Sequence, residues 1–244
     1  LAPYDEKAGQ EQAEHIRNLL DSGVDVLLVA PCDSYHTAWF VELAGEKGVP
    51  VLTVDTRALD SELPYIGADN AGIGRMAADY LAGKLTDGAQ IAVLSGLSMQ
   101  STHTARVAAF LEELNQMGRF AVPEVYYTEG EFSQGYDCAR ALTDADAIFC
   151  TSAVLGLGAV TAQAQQAGDA CPIVAVDTQD DAMEAVRSGA MEALITQPGH
   201  EIGYRAVECA LAMLEGEEVP AETLLTGQLL TRDTMDGFDG KREG

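Results

Sequence analysis

Two apolar rhythms alternate along this chain. Ala13, Ile16, Leu19 and Leu20 recur at helical spacing, and Gly23 stops that stripe. Residues 24–30 then form a short, nearly continuous apolar run, as expected of a strand buried on both faces. Thr37, Phe40, Val41 and Ala44 mark a second helix, with Gly48 placed as its C-terminal stop, and residues 49–54 a second strand. Ile73, Met76, Ala77, Tyr80 and Leu81 stripe the next helix, with Asp69 or Asn70 placed to cap it.

The scheme continues. Strand 91–94 leads to a helix bearing Val107, Phe110, Leu111 and Leu114, and strand 124–127 to a helix opening near Ser133. Strand 147–150 leads to a helix ending near Gly168; strand 173–176 precedes a helix around Met183 and Val186, and residues 193–196 form a further strand. Ile202, Ala206, Cys209, Ala210 and Met213 stripe the last helix, and residues 224–230 read as one last strand. Such alternation predicts an α/β fold of parallel sheets covered by helices on both faces, and right-handed crossovers make it doubly wound.

Composition narrows the function. The 244 residues hold 14 basic and 39 acidic side chains, for a net charge of −25. That balance excludes nucleic acid and anionic membrane as partners, because phosphate binding needs clustered cations. Hydrophobic residues make up 47% of the chain, enough to fill cores. Mean hydropathy is +0.01, and every apolar run is shorter than the roughly 20 residues of a membrane span. No basic stretch leads into an apolar one, so no signal peptide is visible. Cys32, Cys138, Cys150, Cys171 and Cys209 are too scattered for a disulfide framework, and no metal spacing links His15, His36, His103 and His200. Asp236 and Asp239 fall short of a calcium loop. No cofactor is expected.

In doubly wound sheets, ligands bind beyond the carboxyl ends of the strands. Those ends carry Pro31 to Ser34, Asp55-Thr56-Arg57, Ser95-Gly96, Thr151-Ser152 and Asp177-Thr178-Gln179. Carboxylates and short hydroxyls there suit the hydroxyls of a sugar or polyol. Ser34 and Asp180 read as caps of the helices that follow; Asp55 and Asp177 end apolar strands at equivalent positions and read as ligand contacts. Gly72-Ile73-Gly74 and Gly156-Leu157-Gly158 imitate nucleotide-binding glycines, yet both fall inside helical stripes. No phosphate loop, nucleophile elbow or catalytic triad is present, so no catalytic residue is expected.

At this point the residues carry a family resemblance. Residues 24–34 (VDVLLVAPCDS), 49–55 (VPVLTVD), 66–70 (IGADN), 104–110 (TARVAAF), 174–177 (VAVD) and 197–203 (QPGHEIG) resemble, in order, segments of the type I periplasmic sugar-binding proteins. Ala109 replaces a usual glycine of that pattern, and the similarity is nearest to the ribose-binding branch. It implies ligand contacts at Asp55, Arg106, Asp177 and Gln197, with Phe132 as an aromatic wall. Thr56 stands where ribose binders carry arginine, and Ser152 where they carry asparagine. Both shorten the side chain and leave room for a larger or differently oriented ligand.

The resemblance further implies two doubly wound lobes, 1–68 with 198–229 and 69–197 with 230–244, joined by crossings near Ala68, Gln197 and Leu230. The ligand would lie between them and draw them together by hinge motion. Against the family pattern the chain starts near the end of the second strand, so a strand–helix–strand start is missing; its first strand would lie inside the first sheet and leave neighbours unpaired. The function so implied is an extracytoplasmic solute-binding protein, monomeric, anchored at the surface or periplasmic. It would hand a sugar or polyol to the membrane permease of an ABC importer. The alternative is the effector-sensing domain of a lactose-repressor-type regulator, although residues 229–236 (LLTRDTMD) look more like the ending of the transport binders.

Overall fold

The computed structural model describes residues 9–166 and 170–238 and places ten strands in two sheets. Helix α1 (Gly9–Asp21) precedes β1 (Leu27–Val29); α2 (Ala38–Glu46), β2 (Val51–Val54) and β3 (Tyr65–Ala68) follow. The chain then leaves the first sheet through α3 (Asn70–Lys84) and builds β4 (Ile91–Ser95), α4 (Ser101–Met117), β5 (Glu124–Tyr127), α5 (Phe132–Ala141) and β6 (Ala147–Cys150). Next come α6 (Ala153–Gln163), β7 (Ile173–Val176), α7 (Asp180–Ser188) and β8 (Ala193–Ile195). Helix α8 (Gly199–Glu215) returns to the first sheet for β9 (Glu222–Leu225), and β10 (Leu229–Thr231) completes the second. The helix stop expected near Gly168, like Asp239, lies outside the described residues.

The first sheet runs β1-β2-β3-β9, all parallel. The second runs β10-β8-β7-β6-β4-β5, in which only β10 is antiparallel. Along the second sheet, side chains alternate between two helical layers, as the two-residue period of a strand requires. Val93, Phe149, Val174, Val176 and Ile195 pack toward α3 and α4, joining Ile73, Val107 and Phe110. Leu94, Ile148, Cys150, Ala175 and Leu194 pack toward α5, α6 and α7. Phe110 and Phe149 stack at 4.6 Å between ring centroids. The first sheet buries Leu27, Val29 and Val51 against Ile16, Leu20, Phe40 and Ala44 of α1 and α2.

Two expectations are corrected. The run 224–230 is two strands, one in each sheet, because Gly227 turns the chain across Thr196. A Cβ at 227 would lie 2.1 Å from the Thr196 carbonyl oxygen. The sheets are also not wholly parallel, since that same crossing returns β10 against β8. The four described strands of the first sheet pair without interruption between its two edges, β9 and β1, and the outer side of β1 has no described strand beside it. There the Gln12 carboxamide donates to Ala30 O (2.7 Å) and accepts from Cys32 N (2.9 Å), standing in for a backbone partner.

The chain passes between the sheets three times, and the passes are tied together. Asp69 N donates to Leu225 O at 2.8 Å, Thr196 N to Gln228 O at 2.8 Å, and Gln228 N to Thr196 Oγ1 at 2.9 Å. The glycine strings pack helices rather than bind phosphates. Asp69 caps α3 through Gly72 N, and a Cβ on Gly74 would meet Arg106 O at 2.2 Å, so α3 and α4 touch there through bare backbone. Gly158 serves the α5–α6 contact in the same way, its absent Cβ leaving room for Phe132 O.

Candidate functional site

In the order β5-β4-β6-β7-β8 of the second sheet, successive strands are added first on one side of β4 and then on the other. This switch opens a crevice at the carboxyl ends of β4 and β6. Arg106, one and a half turns into α4, reaches this crevice and is 2% exposed. Its Nε donates to Asn70 Oδ1 at 2.8 Å, and its Nη1 to the Thr151 carbonyl at 2.7 Å. Thr151 is held in turn: its Oγ1 accepts from Gly96 N at 3.0 Å and lies 2.8 Å from His103 Nδ1. The His103 ring lies over Gly96, where a Cβ would come within 2.5 Å of Nε2. A guanidinium so tied presents its remaining donors in one fixed direction.

Asp55, after β2, comes to this arginine, and Asp177, after β7, comes close to Asp55 in turn. Among the described residues, they are the only non-glycine residues with positive φ, 62° and 88°. That conformation costs a side-chain-bearing residue free energy and gathers at functional sites. Both turns are held by backbone bonds, Asp55 N to Ile66 O at 2.8 Å and Asp177 N to Ile195 O at 3.0 Å. The Tyr65 hydroxyl donates to Asp55 O at 2.7 Å. Burial pushes the Asp55 carboxyl above the ordinary range; Arg106, the Thr56 hydroxyl and His103 pull it back, while Asp177 adds to the rise. The Thr56 hydroxyl donates to Asp55 Oδ2 at 3.2 Å, and the Gln197 amide donates to Asp177 Oδ1. Gln197 Oε1 is buried without a hydrogen-bond partner.

The two sheets also meet directly. Ser101 at the start of α4 donates its backbone N–H to Ser34 Oγ at 3.0 Å, and its own Oγ accepts from Arg57 N at 2.9 Å. Ser34 N donates to Met99 O at 2.9 Å. Ser34 is thus no helix cap: it is fully buried, and α2 has Thr37 at its N-cap position. Asp180 is not a cap either: it is the first residue of α7, and Gln179 holds the N-cap position.

The model of the periplasmic binding protein domain matches residues 2–218. The chain belongs to that family. As a periplasmic binding protein it is 31% identical to a ribose import binding protein of Haemophilus influenzae, over 87% of this chain and 74% of that one. Its fold superposes with TM-score 0.89 on an ABC transporter solute binding protein from Burkholderia graminis in complex with D-arabinose, at 21% identity, covering 98% of this chain and 86% of the other. A solute binding protein from Agrobacterium vitis bound with alpha-D-tagatopyranose gives 0.83 at 25% identity, over 90% and 79% of the two chains.

Of the seven positions expected to touch ligand, Asp55, Thr56, Arg106, Asp177 and Gln197 of this periplasmic binding protein form one hydrogen-bonded and electrostatic group. Phe132 opens α5 with its ring 45% exposed and shares no hydrogen bond or ring contact with that group. Ser152 is the N-cap of α6, its hydroxyl accepting from Leu155 N at 3.4 Å. Sequence reasoning missed Asn70, His103, Ser34 and Ser101. The available signal was polarity inside otherwise apolar helical stripes; Ser101, Thr102 and His103, all buried, precede Arg106 on the same helix. Among the described residues, no group of three or more potential metal ligands occurs, and no helix is long and apolar enough to cross a membrane.

Proposed function

We propose that this protein captures a sugar or polyol between its two sheets and releases it unchanged to the membrane permease of an ABC importer outside the cytoplasm. The observation that carries the reading is the convergence of Asp55, Asp177 and Arg106 from different elements onto one locus, two of them held at positive φ. Carboxylates that accept and a fixed guanidinium that donates are the complement of vicinal hydroxyls. The relatives are named as binding proteins rather than enzymes, which supports binding without chemistry. The names of its relatives add weight: an importer's ribose-binding protein and solute binding proteins bound to D-arabinose and tagatopyranose. The regulator alternative has no comparable support.

A thermal-shift screen over pentoses, hexoses, inositols and linear polyols tests it. A ligand at ~100 times its dissociation constant stabilises the folded state by roughly 2.7 kcal/mol, a readily visible shift. Mass spectrometry after prolonged incubation should return that ligand intact. A blank across the screen, or a transformed product, removes the reading.

A further inference from the structure

Among the described residues, the candidate site brings two carboxylates, Asp55 and Asp177, together beside one arginine, Arg106. Asp55 Oδ2 accepts from Thr56 and Asp177 Oδ1 from Gln197, both neutral donors. The second oxygen of each carboxylate receives no hydrogen bond from the described residues. Arg106 is the one arginine in the group, and its Nε and Nη1 are occupied by Asn70 and Thr151 O. Arg57, next along the chain, is paired with Glu222 at 2.6 Å and covers the Tyr65 ring instead. His103 is buried and engaged with Thr151. Among the described residues, Asp55 is desolvated beside Arg106 and is further raised by the neighbouring Asp177 carboxylate, so a cation placed between the two aspartates would relieve their repulsion.

We propose that the ligand this cleft prefers is an aminated sugar or polyol whose ammonium sits between Asp55 and Asp177; the proposal rests on the sugar-capture reading above. An ammonium offers three donors and a full positive charge, so it serves the open oxygen of both carboxylates at once. A neutral hydroxyl supplies the hydrogen bond but not the charge. The ring hydroxyls then have partners in Arg106 Nη2 and in Gln197 Oε1, the buried oxygen that lacks a donor. A chain of net charge −25 also draws cations toward its surface and raises their encounter rate.

Calorimetric titration at pH 7 with matched pairs tests this: D-glucosamine with D-glucose, D-galactosamine with D-galactose, and 1-amino-1-deoxyribitol with ribitol. In at least one pair the amine should bind roughly 10- to 100-fold tighter than its parent, the span of about 1.5–3 kcal/mol for hydrogen bonds to charged groups. N-acetylation of that amine should abolish the advantage, and Asp177→Asn should bring the ratio near one. Equal affinities, or tighter binding of the neutral member, overturn the proposal and leave sugar capture standing. No binding by any member counts against both.

Discussion

Arg106 holds two positions at once, because the bonds that aim its guanidinium also fill the acceptors of Asn70 and Thr151. Arg106→Ala therefore has two expected effects. Ligand affinity falls roughly 30- to 150-fold, from about 2–3 kcal/mol of unpaired polar contact, and the free protein loses about 1–3 kcal/mol of stability. Titration and urea denaturation check them separately; a loss of stability with affinity intact would confine Arg106 to a structural role. Asp55 makes the opposite prediction for the empty protein. Its carboxyl is raised in the folded state, so between the unfolded and folded values the native protein binds the extra proton and stability falls as pH rises. Above that window the penalty is constant. Asp55→Asn, whose side chain tolerates positive φ, should stabilise the empty protein at pH 7, give no such gain below about pH 3.8, and abolish binding. Asp55 and Asp177 were legible in the sequence because each closes an apolar strand with a charge. Ser34 was misread because a serine ahead of a helix looks like a cap whether or not the other sheet's Ser101 meets it.

Most elements could be read from apolar spacing, since second-sheet strands buried on both faces leave uninterrupted runs and their helices leave stripes. What escaped notice has a common cause. The division of 224–230 depends on Gly227 passing over Thr196, a contact between segments 31 residues apart that no local rhythm reports. The close approach of α3 and α4 at Gly74 is equally hidden, yet it fixes where Arg106 stands. Gly74→Ala should push the α4 backbone away at Arg106, costing about 1–3 kcal/mol of stability and lowering ligand affinity as well. Native affinity in the variant would show that α4 can shift without moving its guanidinium. The Ser101 contacts bring the start of α4 against the first sheet. Ser101→Ala removes the links of its hydroxyl to Arg57, at roughly 0.5–1.5 kcal/mol each, so the joined arrangement of the sheets should be less populated and affinity about 3- to 10-fold weaker. Calorimetry against the parent protein decides it; an unchanged constant means these bonds form equally well to water.

The whole molecule is two sheets tied by three adjacent crossings, which permits rotation of one about the other with little change inside either. Saturating ligand should reduce the radius of gyration in small-angle scattering, because contacts from both sheets are complete only when they meet. An unchanged radius would indicate a site already closed. The net charge of −25 acts at this scale too. Self-repulsion among surface carboxylates is screened over about 10 Å at 0.1 M salt, so the denaturation midpoint should rise between 10 mM and 300 mM sodium chloride.

The two aspartates at positive φ bear on how this chain would change under selection. Each occupies a backbone geometry that glycine adopts at no steric cost, and Asp55 buries a carboxylate that an amide would hold at lower cost. Lineages kept for heat resistance alone, with no nutrient to win, would trade these aspartates early for glycine or asparagine. Their retention in any descendant would therefore serve as a fossil of ligand capture, readable before a single binding measurement is made.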